Sequence, residues 1–342
     1  TWTVPTDWAS VAVNSITAYW VRARVSAYTS VTTQPKGRQA WLTKSALKYG
    51  GVTLQAPAYF CWYPAISKWM MAGGSSVFEY DGTNFIERVN FSGETITDLK
   101  VHNLILYVAL GASTKYYYTA DGATYTQTDL SDGYANKFLV APNLSGTNEV
   151  LWKSKNPNEV TSTTDGRTVA AGGVQWSSVA YIGDTSVNIT NLMTLNNNLL
   201  VGREDGLYHY DTEGGSNLLI DLRSSRSTNN FKSYCMWHGN LYFTLGMPQG
   251  FGELTSYFAY SRIGPWVDAT DIKIEIVNAN GITADNEWIY VNIYERIKNP
   301  ASTDTFSLLF KGRQIERAGG LRWEWYPFAN TVDLSTVMGV SQ

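Results

Sequence analysis

YYYTADGATY, residues 116–125, places a run of aromatic residues shortly before an Asp-Gly pair, and this phrase decides the fold. Related phrases occur elsewhere in the chain: FEYDGT at 78–83, TTDGRT at 163–168 and, more distantly, LYHYD at 207–211. Their aspartates, Asp81, Asp121, Asp165 and Asp211, follow one another at intervals of 40, 44 and 46 residues. The four-stranded blades of a β-propeller repeat at about this period, so the spacing predicts a propeller.

Each Asp-Gly pair is predicted to close a tight hairpin between the two outer strands of a blade. Hairpin turns of the primed types need positive φ at their central residues, which glycine adopts freely and aspartate tolerates. The flanking aromatic and β-branched residues favour a half-buried pleated sheet. The predicted structural turn residues are Asp81, Gly82, Asp121, Gly122, Asp165 and Gly166.

A second register of the repeat is also open. It pairs Asp165 with Asp205, which lies 40 residues further on. The aromatic residues before Asp211 match those before Asp81 better, so we prefer the register that ends at Asp211.

Strand-like runs recur once in each repeat. They occur at 68–72, 104–108, 137–140, 199–201, 241–244 and 288–291, and turn residues such as Asn197-Asn198 directly precede three of them. These runs predict an all-β fold, a propeller of about six four-stranded blades. The blades are predicted at 52–92, 93–135, 136–175, 176–222, 223–270 and 271–332, within a propeller that spans 37–342.

The composition bounds the function. Hydrophobic residues make up 44% of the 342 residues and aromatic residues 14%, enough for a packed core. Charged residues make up 16%, and the net charge of −3 gives no basic surface for a phosphate backbone, so nucleic acid is excluded as a predicted partner. The sequence has no apolar run long enough to span a bilayer, so membrane insertion is not predicted.

Cofactor and metal chemistry has little support in the sequence. Cys61 and Cys235 lie in separate blades among aromatic residues and are predicted to be buried free thiols. The three histidines, His102, His209 and His238, lack the close spacing of a zinc site. The acidic stretches near Asp81 and Asp211 lack the oxygen ligands of an EF-hand loop. We therefore predict no cofactor and no metal.

The segment 1–36 differs from the remainder of the chain. Residues 19–27 alternate with period two, as in a strand with two different faces, and a polar connector with Pro35 and Gly37 follows. One or two strands are not stable alone. We therefore predict that 1–36 completes a β-sandwich whose other strands lie upstream or on a neighbouring chain.

Two stretches resemble known families. VNSITAYWVRARV at 13–25, followed by TTQP at 32–35, resembles a segment of tailed-bacteriophage structural proteins of the form Asn-Gly-x-Thr-x-Tyr-Trp-x-Arg-x-Arg, with Ser15 in place of the glycine. In that family the segment closes a small β-sandwich before the next module. YTADGATY at 118–125 is similar to the Asp-box turn of sialidase-like propellers, with Tyr125 where tryptophan is usual. Phage and bacterial surface proteins carry that turn without enzymatic activity.

A sialidase-type site would need three arginines around a carboxylate, with a tyrosine and a glutamate for the chemistry. The arginines available are Arg203, Arg223, Arg226 and Arg262, but arginines at strand ends usually cover sheet edges or are solvated. No catalytic residue is therefore predicted. The residues that could contact a ligand are Trp176 and Trp266, which stand beside loop-forming residues.

The sequence therefore predicts a non-enzymatic component of a phage virion that acts as an assembly or host-adhesion module. The expected partners are other virion structural subunits, further copies of the chain in a homo-oligomer and a host surface glycan. The alternative is a carbohydrate-binding or sialidase-like propeller of a bacterial surface or secreted protein. A third hypothesis is an interaction scaffold inside a cell.

Overall fold

The computed structural model describes residues 48–49, 52–53, 58–82, 84–211, 215–246, 250–263, 274–297, 305–317, 320–331 and 337–341. The chain divides into two units between Lys44 and Ser45, and every described residue belongs to the second. The predicted sandwich segment 1–36 lies outside the described residues, as do the predicted boundary at residue 36 and the candidate Trp266.

Six four-stranded antiparallel sheets follow one another along the chain and confirm the predicted six-bladed β-propeller. A short pair, β1 (Lys48–Tyr49) and β2 (Val52–Thr53), precedes them. Blade 1 contains β3 (Ala58–Tyr63), β4 (Lys68–Gly73), β5 (Ser76–Tyr80) and β6 (Phe85–Asn90). Blade 2 contains β7 (Asp98–His102), β8 (Ile105–Ala109), β10 (Tyr117–Thr119) and β11 (Thr126–Gln127), with a side ladder of β9 (Gly111–Lys115) and β12 (Tyr134–Ala135).

The remaining four blades repeat the same meander. Blade 3 contains β13 (Lys137–Pro142), β14 (Glu149–Lys155), β15 (Glu159–Thr163) and β16 (Ala180–Tyr181). Blade 4 contains β17 (Ile189–Leu195), β18 (Asn198–Arg203), β19 (Gly206–Tyr210) and β20 (Ser216–Asp221). Blade 5 contains β21 (Tyr234–Trp237), β22 (Asn240–Thr244), β23 (Phe251–Leu254) and β24 (Tyr260–Ile263). Blade 6 contains β25 (Ile274–Ala284), β26 (Ile289–Ile297), β27 (Thr305–Arg317) and β28 (Gly320–Thr331).

Second strands are buried on both faces, which explains the apolar runs in the sequence. In β8, Leu106 and Val108 pack against blade 1, while Ile105, Tyr107 and Ala109 pack against blade 3. Alternate side chains of a strand point to opposite faces, so a strand between two neighbouring blades must be apolar at every position. The run predicted at 104–108 is this strand, displaced by one residue.

Five apolar clusters each join two successive blades, from the pair 1 and 2 to the pair 5 and 6. Aromatic residues dominate the cluster between blades 2 and 3, where the ring of Tyr116 meets those of Phe138 and Trp176 edge to face at 5.4 and 6.0 Å. Such contacts add to the stabilisation from apolar burial. Each sheet therefore depends on its neighbours for a core.

The ring is closed by strand β29 (Val337–Ser341), which pairs in parallel with β3. Blade 1 consequently forms a five-stranded sheet in the order β29-β3-β4-β5-β6. Two short 3-10 turns, Val169–Ala171 and Arg223–Ser225, lie in connections. The described part of the chain contains no helix whose length and hydropathy would let it cross a bilayer.

All four repeat aspartates occupy the same place, directly after or close behind the third strand of a blade. Asp81, Asp121 and Asp211 lie between the third and fourth strands of blades 1, 2 and 4, and Asp165 lies in the corresponding connection of blade 3. This is the register that the aromatic residues before Asp211 favoured. Asp205, in contrast, lies in the turn between β18 and β19.

The predicted turn geometry is wrong, because the aspartates do not adopt positive φ. In the first two Asp-Gly pairs only the glycine has a positive φ, which is 104° at Gly82 and 72° at Gly122. The Asp121 carboxylate instead accepts hydrogen bonds from the backbone N–H groups of Ala123 (2.8 Å) and Thr124 (2.7 Å). Aspartate is therefore required as a local acceptor in an Asx-type turn.

The phrase that contains Asp165 and Gly166 does not form a tight hairpin. In blade 3 the connection runs over residues 164–179, and its Gly166 is held by hydroxyl groups of blade 2. The Tyr116 hydroxyl donates to the Gly166 carbonyl at 2.6 Å, and the Gly166 N–H donates to the Tyr107 hydroxyl at 3.2 Å. A Cβ atom at Gly166 would lie 3.0 Å from both tyrosines. Glycine is needed here for close approach between blades, and not for its backbone freedom.

The connections between first and second strands and between third and fourth strands lie at one face of the ring, which we name the turn face. Contacts between successive blades show this arrangement. The Asn103 side chain donates to the Thr164 carbonyl at 3.5 Å, and the Asn196 side chain donates to the Ser256 carbonyl at 2.9 Å. The first turn of one blade thus rests on the second turn of the next.

Replacing Tyr116 by phenylalanine should lower the free energy of unfolding by about 1–3 kcal/mol, because the buried Trp176 N–H loses its acceptor and the Gly166 carbonyl loses a donor. Tyr181, which is 65% exposed, provides the matched control, and Y181F should cost less than about 0.5 kcal/mol. Urea unfolding of the three proteins measures both values. Equal losses for the two variants would contradict the role of the Tyr116 hydroxyl.

Replacing Asp121 by alanine should lower the free energy of unfolding by about 1 kcal/mol, because two backbone N–H groups lose their acceptor. D121N keeps an acceptor oxygen and should retain most of the stability at neutral pH. The N–H groups of Thr124 and Ala123 lower the pKa of Asp121 from 3.8 to about 2. The carboxylate's contribution is therefore present above pH 3.8 and is lost as the pH falls toward 2, so D121N should be less sensitive than wild type in this window. Denaturant unfolding at several pH values tests this, and indistinguishable pH profiles would contradict it.

Candidate functional site

Large apolar side chains are exposed on the turn face. Tyr257 is 91% exposed in the last turn of blade 5, and Leu321 is 68% exposed close to the end of the β27–β28 hairpin. Trp62 and Trp69 flank the first turn of blade 1, with ring centroids 5.6 Å apart in an edge-to-face arrangement. The exposed apolar residues in the described part of this face include Trp62, Trp69, Leu104, Val169, Val174, Tyr257 and Leu321. Exposed aromatic residues of this kind are typical anchors of protein interfaces.

Blade 6 extends the turn face further. Its third and fourth strands have 13 and 12 residues, and β27 continues beyond Gly312, where its pairing with β26 ends. Residues 313–317 pair only with β28, so the hairpin projects about 17 Å past the second strand at about 3.4 Å per residue. Trp323 and Trp325 attach its base to blade 5 by contacts with Phe251.

A groove of ≈ 350 Å³ lies between blades 3 and 4 on the same face. Its wall contains Asn143, Ser162, Ser177 and Tyr210, and none of the residues that line it carries a charge. Hydroxyl and amide groups beside an aromatic ring suit a neutral, hydroxylated ligand. The indole of Trp152 also lines the groove but is only 4% exposed, so it offers little surface for stacking on a ligand.

The candidate arginines do not converge on a ligand position. Arg203 is fully buried and its guanidinium donates to the carbonyls of Ile182, Asp184 (2.9 Å) and Val187 (3.2 Å). Its Nε lies 3.4 Å from a carboxylate oxygen of Asp205. A Cβ atom at Gly183, which has φ 65°, would lie 2.2 Å from the Arg203 Nη1 atom. Arg203 therefore fastens the loop before blade 4 to the second strand of that blade.

Arg223 and Arg226 also form ion pairs within the fold. Arg226 lies 2.9 Å from the Glu204 carboxylate and donates to the Ser186 carbonyl at 3.0 Å. Arg223 forms an exposed ion pair with Asp221. Arg262 lies on β24 with an exposed side chain, outside this cluster. A three-arginine carboxylate site is therefore not assembled by Arg203, Arg223 and Arg226.

Trp176 does not have the exposed face that ligand contact requires. It is 9% exposed, its indole N–H donates to the Tyr116 hydroxyl at 3.3 Å, and the Lys153 ammonium lies 4.8 Å from its ring centroid. An aromatic ring beside loop-forming residues can face solvent or the neighbouring blade. Here the ring packs into the core between blades 2 and 3. Burial lowers the pKa of Lys153 more than the ion pair with Asp132 raises it, so this pKa is about 8.

The cysteines and histidines occupy separate positions. Cys61 and Cys235 are both free thiols, but only Cys61 is buried as predicted, and Cys235 is partly buried. Burial raises the pKa of each to about 12, so neither is a reactive thiolate at neutral pH. His102 is 2% exposed, and burial lowers its pKa. Within the described ranges, no three His, Cys, Asp or Glu residues lie close enough together to hold a metal ion.

Sequence reasoning missed the residues that form the turn face and the groove. Trp62 and Trp69 lie on two paired strands that are rich in aromatic residues, a pattern typical of a buried core. Only the folded arrangement of the blade leaves their side chains exposed. The serines of the groove come from strands and connections separated by up to 33 residues. Their spacing carries no signal, because the sequence is rich in serine throughout.

No known protein family matches this sequence, and no curated protein is similar to it at the level of sequence. Among solved structures, the fold is similar to virginiamycin B lyase from Staphylococcus aureus, with 10% identity and a TM-score of 0.53 over 80% of this chain and 84% of that one. It is also similar to a streptogramin B lyase (11% identity, TM-score 0.54, 82% and 96% covered) and to YCF48 from Cyanidioschyzon merolae (11%, 0.50, 82% and 86%). At this identity the likeness shows the fold alone: the chain is a six-bladed β-propeller.

The buried position of Arg203 predicts that its replacement acts on stability. R203M should lower the free energy of unfolding by about 3–5 kcal/mol, because the buried Asp205 carboxylate and three carbonyls lose their partner. R223M, which removes an exposed ion pair, should cost less than about 1 kcal/mol. Thermal and urea unfolding compare the two variants. A cost for R203M no larger than that for R223M would show that Arg203 is not the fastening residue.

Proposed function

We propose that this chain is a non-enzymatic structural component of a tailed-bacteriophage particle, where its turn face docks to other virion subunits or to the host surface. The observation that carries the proposal is the set of exposed aromatic and aliphatic side chains on one face of a closed ring. A rigid propeller presents such side chains without a further ordering cost, which favours binding. The sequence segment 13–25, with its resemblance to phage structural proteins, directs the proposal to a virion.

The projecting hairpin of blade 6 supports an assembly role. Residues 313–317 and their partners on β28 extend past the sheet and combine the exposed Leu321 with the charged side chains of Arg313, Glu316 and Arg322. An apolar centre with a charged rim is the usual composition of a protein interface. Exposed hairpins also allow pairing with strands of a neighbouring subunit, which suits a homo-oligomer within the particle.

The internal use of charged side chains supports a role without catalysis. Arg203, Arg223 and Arg226 are engaged by carbonyl and carboxylate groups of the same chain. A glycosidase that recognises an acidic sugar needs such groups directed at the ligand. In this chain they stabilise loops.

The alternative is a glycan-binding propeller, and one observation favours it. The groove between blades 3 and 4 presents Ser162, Ser177, Asn143 and the half-buried Tyr210 without any charge. A neutral sugar would fit this chemistry better than a sialic acid would. The two proposals are compatible if the groove binds a host surface glycan for a virion protein.

The proposal predicts that purified particles contain the protein at a fixed copy number. Substituting Trp62, Trp69 and Tyr257 together by serine should reduce its incorporation into particles, or the adsorption of those particles to host cells, by at least about tenfold, because interface anchors are lost. Y181S provides the control, since Tyr181 is 65% exposed but lies on the fourth strand of blade 3, away from the turn face. Quantitative mass spectrometry of particles and an adsorption assay provide the readouts.

Absence of the protein from particles would end the virion proposal. A glycan array and a turnover assay separate the alternatives. Binding of neutral glycans that S162A and S177A abolish would favour the groove as the principal site. Release of sugar that is lost in R262A would identify an enzyme and overturn the proposal.

A further inference from the structure

A cavity on the axis of the ring lies between the first strands of all six blades. Its volume is ≈ 220 Å³, and its wall includes residues of β3, β7, β13, β17, β21 and β25. Six side chains determine its electrostatics: Tyr59, Asp98, Lys100, Lys137, Lys232 and Tyr234. Three lysines therefore line one partly open cavity, with a single carboxylate among the described residues of its wall.

Asp98 is the one carboxylate among the described residues that line this cavity. Its two oxygens accept hydrogen bonds from the backbone N–H groups of Phe138 (2.7 Å) and Leu99 (2.9 Å). The bond from Phe138 joins blade 3 to blade 2, the bond from Leu99 lies within β7, and together they engage both oxygens of the carboxylate. Asp98 neutralises at most one of the three ammonium charges, so the described residues of the cavity wall carry a formal net charge of +2.

Lys137 has fixed partners inside the fold. Its ammonium donates to the Thr97 carbonyl at 2.6 Å and to the Tyr59 hydroxyl at 3.3 Å, and it lies 4.6 Å from the Tyr59 ring centroid. Burial acts to lower the pKa of Lys137, but Tyr59 and Asp98 together outweigh it and the pKa lies above its usual value. Lys137 therefore stays charged and acts as a fixed positive group in the wall.

Lys100 and Lys232 are much less satisfied. The Lys232 ammonium has one long contact, 3.5 Å to the Asn229 side-chain oxygen, and burial together with repulsion from Lys137 lowers its pKa. Lys100 has no hydrogen bond or ion pair to any described residue. Lys100, Lys137 and Lys232 line the same cavity together with Tyr234, whose pKa is raised by burial. Among the described residues, one long contact engages the Lys232 ammonium and none engages that of Lys100, so both groups can donate to a ligand.

We propose that this axial cavity binds a small oxyanion of charge −2, with Lys100 and Lys232 as its ligands and Lys137 as the fixed charge beside it. Uncompensated like charges in a partly open cavity repel one another more strongly than in water, and an anion of matching charge relieves that repulsion. Lysine donates readily to phosphate and sulfate oxygens. The inference does not depend on the proposed virion function.

Isothermal titration calorimetry on the full chain tests the proposal, with sodium phosphate and sodium sulfate as probes and sodium chloride used to keep the ionic strength constant. One binding site is expected. K100M and K232M should each raise Kd by about tenfold, because each removes one of the two available ammonium groups. K68M is the matched control: Lys68 begins β4, outside the cavity, so this variant changes net charge equally but should change Kd less than about twofold.

K100R separates the loss of charge from the loss of the side chain, and it should keep Kd within about threefold of wild type. If K232M fails to fold by circular dichroism, K100M decides alone, since Lys100 has no hydrogen bond or ion pair to any described residue that the substitution would break. Failure of both anions to bind in excess over chloride would overturn the proposal. Equal weakening by K68M and K100M would also overturn it, because it would show diffuse attraction at the surface.

Discussion

The packing of successive sheets against one another is the constraint on which the propeller depends. A four-stranded meander such as blade 2 has apolar side chains on both faces of β8, so it exposes a core surface on each side when it stands alone. Hydroxyl groups reinforce this packing where the blades approach most closely, as between Tyr116 and Gly166. The same contacts set the positions of the connections, since the first turn of one blade rests on the second turn of the next.

Much of the fold was predictable from the spacing of one short phrase. The interval between Asp81 and Asp121 indicated a blade, and the apolar run at 104–108 marked a strand buried on both faces. The local reason for the repeat was not predictable in the same way. An Asp-Gly pair is compatible with a primed turn and with an Asx-type turn, and the hydrogen bonds of Asp121 to the two residues that follow decide between them.

The sites were much less predictable, because they depend on partners far apart in the sequence. Arg203 finds its acceptors in the loop before its own blade, and nothing in the local sequence marks it as buried. Lys100, Lys137 and Lys232 are brought together only by the ring, which places the first strands of separate blades around one axis. Trp176 shows the opposite case, in which a loop composition suggested exposure but a neighbouring sheet covers the ring.

The parallel pairing of β29 with β3 has a consequence for the folding of this protein during translation. The strand that borders blade 1 on the inside is synthesised more than 270 residues after the strand it joins. At the usual speed of translation this interval lasts on the order of tens of seconds. Blade 1 therefore cannot complete its five-stranded sheet until β29 has been synthesised.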